Sequence, residues 1–323
     1  MKVLSSRILK LLSPSIRYIL SNADIDYKRL VELRLRINEP FILVFSDGEI
    51  LLGKKGGMTK DKEAAYRVSA EDIRTTVDAV SDHSLYAYED DIRQGFITIR
   101  GGHRVGIAGQ VVLEKGRVKN VKHISFINIR MSHQIKGCSN MVLPHIFKDG
   151  KPLHTLIISP PGSGKTTLLR DIVRNISEGN MYCKGLNVGV VDERSEIAAC
   201  YMGVPQNDVG FRTDILDGCP KAEGMLMLLR SMSPKVIAVD EIGSREDIDA
   251  IAYVMNSGCS IMATVHGDSI DDIRNKPVLR KLVEEKVFDR YIVLGNSRGI
   301  GTVESIFDER GNELFIHSLS IAN

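Results

Sequence analysis

The sequence predicts an α/β fold in which a domain built on a mostly parallel sheet is preceded by a small α+β domain. Three observations carry that expectation. In the second half, short apolar β-rich runs alternate with segments of helical periodicity, the pattern of a sheet covered by helices on both faces. One run leads through a glycine-rich loop into a helix, and another ends in two adjacent carboxylates. Residues 1–130 show no such alternation and mix helical stretches with a hairpin and short strands.

Composition sets the bounds. A chain of 323 residues has room for two modest domains, and its 43% hydrophobic and 26% charged content is ordinary for a globular protein. Lys and Arg number 43 against 41 Asp and Glu, so bulk charge gives no reason to expect a specific nucleic acid as partner. Cys138, Cys183, Cys200, Cys219 and Cys259 form no C-x-x-C pair, which argues against zinc and against a disulfide framework and suits a reducing cytosol. Lys2, Arg7, Lys10 and Arg17 interrupt the apolar residues of the N-terminus, leaving no signal-peptide core. No run approaches the ~18 apolar residues of a spanning helix. The expectation is a soluble, cytoplasmic protein that reaches a membrane only through partners.

Along the chain, Ile8, Leu11 and Leu12 recur at helical spacing, and residues 26–36 continue that pattern after a break, so residues 1–36 read as helical. Residues 41–45 and 50–52 read as a hairpin turned at Asp47-Gly48. Ser69 to Asp72 resembles a capping box opening a helix through Val80. Residues 96–99, 105–109 and 111–113 read as short strands separated by glycines. Residues 131–152, with Gly137, Pro144, Gly150 and Pro152 among polar neighbours, read as a linker. The second domain then spans 153–323, with strands at 155–158, 187–192, 236–240, 260–265 and 291–294 and a terminal hairpin, 303–307 with 313–316.

The glycine-rich loop is Ser159-Pro160-Pro161-Gly162-Ser163-Gly164-Lys165-Thr166-Thr167, set between a strand and a helix as a Walker A motif requires. Gly162 and Gly164 let backbone N–H groups of residues 161–167 (Pro161 excepted, Ser163 and Thr167 included) converge on phosphate oxygens, and the helix N-terminus adds its positive end. Lys165 would reach the β- and γ-phosphates of ATP, and Thr166 would place a hydroxyl on magnesium. Ser159 replaces the leading glycine of G-x-x-x-x-G-K-[ST]; at a strand end a small residue serves if its backbone dihedrals permit.

The run Val236-Ile237-Ala238-Val239 ends in Asp240-Glu241. Asp240 suits a Walker B acid holding Mg2+ through its water shell, and Glu241 suits the base that orients the attacking water. A nucleoside kinase needs no second carboxylate, since its substrate brings the nucleophile, so the pair favours hydrolysis. The strand ending Thr264-Val265-His266 has room to insert between the strands of the two motifs. Thr264 and His266 would then stand near the γ-phosphate as sensors; the plain alternative for His266 is an exposed loop histidine. Asp192-Glu193-Arg194-Ser195-Glu196 follows another strand on the same side of the sheet. Glu193 is thus a second candidate for water activation, and Asp192 a candidate for magnesium. The residues alone leave Glu193 and Glu241 both open.

Taken together, the block 192–196, Arg212-Thr-Asp-Ile-Leu-Asp-Gly-Cys-Pro-Lys221, Asp240-Glu-Ile-Gly243 and Ala263-Thr-Val-His-Gly267 resemble the stage III sporulation protein AA family of endospore-forming bacteria. Glu32-Leu-Arg-Leu-Arg36 and Gly101-Gly-His-Arg-Val-Gly106 are similar to it as well, so the resemblance covers nearly the whole chain. That family resembles the ATPases of type II and type IV secretion, with Walker A, Asp box, Walker B and His box in this order. The resemblance implies an N-terminal domain joined to a RecA-like, AAA+-type P-loop NTPase domain and a homo-oligomer, a hexameric ring. It further implies a cytoplasmic protein of the mother cell, docked peripherally to membrane-embedded partners of a channel to the forespore, with ATP and Mg2+ as cofactors.

In such a ring a neighbour's arginine commonly completes the site, because transition-state charge on the phosphates needs stabilising. Arg34, Arg36, Arg100, Arg104, Arg194 and Arg212 are the candidates, and Arg212, in a loop rich in Gly and Asp, leads them. Two other classes stand beside the motor. A nucleic-acid-dependent P-loop ATPase would use Gly101–Gly109 with His103 and Arg104 on phosphates, although 6% aromatic content without Trp offers few stacking platforms. A nucleotide-gated scaffold would bind ATP without turning it over.

Overall fold

The structure, a computed structural model, describes residues 8–82, 84, 88, 92 and 95–316. The chain divides into two compact units, Met1–His133 and Gln134–Asn323. The part of the N-terminal helical stretch at residues 1–7 lies outside the described residues.

The first unit opens with α1 (Pro14–Ser21), whose first turn is capped by Ser13 accepting from the Ile16 amide at 3.3 Å. Its sheet is formed by β1 (Leu30–Arg36), β2 (Ile42–Phe45), β3 (Gly48–Leu52), β4 (Met58–Thr59), β5 (Phe96–Ile99), β6 (His103–Glu114) and β7 (Arg117–Arg130), in the order β4-β3-β2-β1-β7-β6-β5. α2 (Ala70–Val80) has the capping box expected of Ser69 and Asp72. Two expectations are corrected. Residues 30–36 form a strand: a bulge between Leu30 and Glu32 lets Leu30, Leu33 and Leu35 share the buried face, so apolar residues three apart imitated a helical period. β6 is one long strand, because Gly109 is a bulge position rather than a break; a Cβ there would meet the His123 carbonyl oxygen at 2.6 Å.

In the second unit, β8 (Phe147–Lys148) and β9 (Lys151–Pro152) form a short hairpin. β10 (Thr155–Ser159), β11 (Val188–Asp192), β12 (Thr213–Asp217), β13 (Val236–Val239), β14 (Ser260–His266) and β15 (Arg290–Gly295) pair in parallel, and β16 (Thr302–Asp308) and β17 (Glu313–Ile316) extend that sheet antiparallel. The order is β12-β11-β13-β14-β10-β15-β16-β17, which sets β14 between β10 and β13. Every residue of β10, β11 and β13 is buried. Alternate side chains feed two cores: Ile157, Val190 and Ala238 pack with α3 (Lys165–Glu178) on one face. Leu156, Ile158, Val191, Ile237 and Val239 pack with α4 (Lys221–Ser231) and α5 (Arg245–Asn256) on the other.

Residues 131–152, expected as a linker, carry Val142, Leu143 and Ile146 into the α3-side core. Ser139 there donates through its hydroxyl (2.7 Å) and amide (2.9 Å) to Asp171 of α3. No described helix is long and apolar enough to cross a membrane.

Candidate functional site

In a parallel sheet the carboxyl ends of the strands and the helix N-termini lie on the same side, and backbone amides there point outward. Residues 159–165 leave β10 on that side. Ser159 is fully buried and is absent from the positive-φ positions, so an L residue is accommodated where the motif has glycine. Gly162 and Gly164 have φ of 74° and 86°, left-handed values that favour glycine. A Cβ at Gly162 would meet nothing within 4 Å, so the loop leaves open space there. Gly164 caps α3 without a side-chain acceptor, and the first-turn amides keep their capacity for an anion. Ser163 is buried, its Oγ accepting from Asn296 Nδ2 at 3.0 Å.

Lys165, the first residue of α3, is buried and lies with Nζ 2.7 Å from Glu241 Oε1. Thr166 donates from Oγ1 to Asp240 Oδ2 at 2.6 Å, and Thr264 donates to the other Asp240 oxygen. The same Thr264 hydroxyl accepts from the Glu241 amide at 2.9 Å. Glu241 has φ of 56°, a left-handed backbone, and that hydrogen bond holds the residue in it. The Glu241 carboxylate also receives Arg194 Nη1 at 2.7 Å and lies 2.9 Å from His266 Nε2. Burial acts to raise the Glu241 pKa, but Lys165, His266 and Arg194 together outweigh it and hold the group below its ordinary value. Burial pushes the Asp240 carboxyl up, against the hydrogen bonds from Thr166 and Thr264.

Lys165, Thr166, Asp240, Glu241, Thr264 and His266 are thus joined in one contiguous polar network at the ends of β10, β13 and β14. Glu193 lines the same cleft as Asp240 and Glu241 but is paired with Lys221 at the start of α4. Asp192 is turned to a different task. Buried at 1% exposure, it accepts from the amides of Glu196 (2.7 Å), Ile197 (3.1 Å) and Ala198 (2.8 Å), all in the loop that follows β11. Arg212 is not brought to this network. It precedes β12 at the amino ends of the strands, where Nη1 donates to the Ser177 carbonyl at 2.8 Å and the guanidinium covers the Phe211 ring at 3.9 Å. Among the other arginines, Arg34 pairs with Glu32 and Arg104 lies over Phe96.

Two participants escaped the motif reading. Arg170, one turn beyond the loop on the buried side of α3, donates to the carbonyls of Ile197 (2.5 Å) and Glu196 (2.6 Å) and ties the loop after β11 to the helix. A cation among Leu168, Leu169, Ile172 and Val173 was its only signal. Asn296 belongs to the turn between β15 and β16 and had no motif to mark it.

The model of the family described as "Sporulation stage III, protein AA" matches residues 4–314. The stage III sporulation protein AA of Bacillus subtilis (strain 168) is 43% identical over 289 residues, covering 90% of each chain. Among solved structures, the Legionella pneumophila ATPase DotB aligns with a TM-score of 0.53 at 15% identity, covering 82% of this chain and 72% of its own. The pilus retraction motor PilT, solved with bound ADP, aligns at 0.53 and 13% identity over 82% and 74%. At these identities the likeness is one of fold, an α/β P-loop-like NTPase fold.

Proposed function

The chain belongs to the stage III sporulation protein AA family, and from that premise we propose that it is a magnesium-dependent ATPase whose turnover drives a secretion-like channel complex between mother cell and forespore. The observation that carries the reading is the Lys165–Glu241–His266 cluster standing beside Asp240, Thr166 and the open glycine loop. Position by position this network offers what phosphoanhydride hydrolysis asks of a protein. The fold likeness and the place of β14 between β10 and β13 support a RecA-like arrangement.

The donor set fits Mg2+ with ATP. Thr166 and Asp240 bring two hard oxygen donors together, the kind this ion prefers. Asp240 is a buried carboxylate whose ionised form a dication would favour. Bound magnesium-ATP supplies a terminal phosphate whose charge is partly neutralised and whose leaving group is the ADP oxygen. The protein does the rest. The amides of residues 162–167 and Lys165 hold the phosphates, Thr166 and Asp240 hold the metal, and Glu241 orients water and takes its proton. His266, in contact with Glu241, reports the terminal phosphate to β14.

A hexameric ring docked to membrane-embedded partners on the mother-cell side completes the proposal, with Arg212 the leading arginine to be supplied by a neighbour. Turnover per subunit should then rise with protein concentration. The test is phosphate release with Mg2+, with EDTA, and with Lys165→Ala. Release that needs both Mg2+ and Lys165 supports the ATPase; release indifferent to either contradicts it.

A further inference from the structure

The polar network lies on one side of β10, at the ends of β14 and β13, whereas β15 flanks β10 on the other side. A triphosphate whose terminal phosphate faces Glu241 therefore emerges with its nucleoside toward the turn joining β15 to β16. That turn is built against the glycine loop. Asn296 Nδ2 donates to Ser163 Oγ at 3.0 Å, and a Cβ on Gly164 would meet Gly301 Cα at 3.2 Å and Ile300 Cγ2 at 3.7 Å. The turn is also internally braced: Ser297 donates through Oγ to Glu304 at 2.9 Å, and Thr302 donates to the Gly299 carbonyl at 2.8 Å. Gly299 and Gly301, at φ of 119° and 85°, give it a shape that other residues resist. Ile300 nevertheless stands 78% exposed at its crest, an aliphatic side chain presented to solvent beside the phosphate loop.

We propose that Ile300 is the platform for the nucleobase and that the 296–301 turn is the nucleoside subsite, an assignment that rests on the phosphate-loop reading above. The chemistry is face contact: an apolar side chain covers a flat base whose phosphates are anchored a few ångströms away, and both lose water-exposed area. Nothing in this contact touches the reacting atoms, so Ile300 sets how tightly the nucleoside end is held rather than how fast the phosphate bond breaks.

The experiment is calorimetric titration of the full chain with Mg2+-ATP and, separately, with inorganic tripolyphosphate and Mg2+, for wild type, Ile300→Ala and Ile300→Leu. The exposed position allows the substitutions without loss of core. Ile300→Ala weakens ATP by about five- to tenfold, the worth of a few tens of Å² of apolar contact. Tripolyphosphate binding stays unchanged, and Ile300→Leu restores ATP. ATP affinity unchanged in Ile300→Ala overturns the platform. Equal weakening of ATP and tripolyphosphate also overturns it, since the turn would then act only by bracing Gly164. A wild type that binds neither compound removes the phosphate-loop reading itself, and the subsite with it.

Discussion

Lys165 Nζ, on the first turn of α3, and Glu241 Oε1, just past the end of β13, stand 2.7 Å apart. Their side chains are 8% and 17% exposed, so each charge is answered mainly from within the network. While Lys165 holds the carboxylate, neither group is free for the role proposed for it. In the proposed mechanism, arriving phosphates would offer the ammonium a stronger partner and return the carboxylate to water. Lys165→Ala should therefore weaken Mg2+-ATP binding by about 100-fold, the loss of a charge-assisted contact worth about 3 kcal/mol. Calorimetry checks this; an affinity within threefold of wild type would place the phosphates elsewhere.

Thr264 touches both acids, donating to Asp240 and accepting from the Glu241 amide. Its role in this geometry is to hold Glu241 in its left-handed conformation. Thr264→Val should lower kcat by about 10- to 100-fold and leave ATP affinity within about threefold, since misplaced catalytic groups cost rate before they cost binding. Steady-state kinetics with a separate binding titration distinguishes the two effects. A variant with unchanged kcat would show that the conformation is kept by other contacts.

Asp192 spends its carboxylate on three backbone amides. Asp192→Asn replaces one accepting oxygen with an NH2 donor that faces backbone donors and leaves at least one buried amide unpaired, a cost of about 1–3 kcal/mol. A thermal scan should show the midpoint falling by about 5 °C. Mg2+-ATP affinity should change by less than about twofold. A variant with unchanged melting and lost magnesium dependence would return Asp192 to the metal.

Asp171 anchors residue 139 to α3 and is itself gripped by Arg174 at 2.8 Å. Burial works to raise its pKa, but Ser139 and Arg174 outweigh it and hold the carboxyl below its ordinary value. A pKa lower in the folded than in the unfolded chain stabilises above the unfolded value and is lost as pH falls through the folded one. Acid titration of the melting midpoint from about pH 5 to about pH 3 should show a shallower fall for Asp171→Asn than for wild type. At neutral pH the variant should be the less stable protein. Superposed slopes would mean that the anchor does not depend on charge.

The sequence displayed the half of the sheet that carries the candidate site readily because β10, β11 and β13 are buried on both faces and so read as unbroken apolar runs. β12 escaped for the opposite reason: it is an edge strand, Thr213-Asp214-Ile215-Leu216-Asp217, only partly buried and punctuated by acids. β1 was hidden by its bulge, and the packing of residues 131–152 by turn residues whose neighbours Val142, Leu143 and Ile146 are core. At the site, Lys165, Thr166, Asp240 and Glu241 belong to contiguous motifs whose chemistry is local. The contacts that select among them are not. Arg194 with Glu241, Lys221 with Glu193, and Asn296 with Ser163 join residues 28 to 133 positions apart, and no local pattern encodes such meetings. Arg212 attracted notice through its loop composition, while its environment at the amino ends of the strands depended on the pairing of β11 with β12.

In the proposed mechanism Glu241, rather than Glu193, activates water. The direct measurement is single-turnover hydrolysis of ATP by wild type, Glu241→Gln and Glu193→Gln, each first shown by calorimetry to bind Mg2+-ATP. Glu241→Gln should bind ATP at least as tightly as wild type, because Lys165 is released, and hydrolyse it about 100- to 1,000-fold more slowly. Glu193→Gln should retain most of the wild-type rate. Undiminished hydrolysis in Glu241→Gln, with the loss falling instead on Glu193→Gln, would contradict that mechanism.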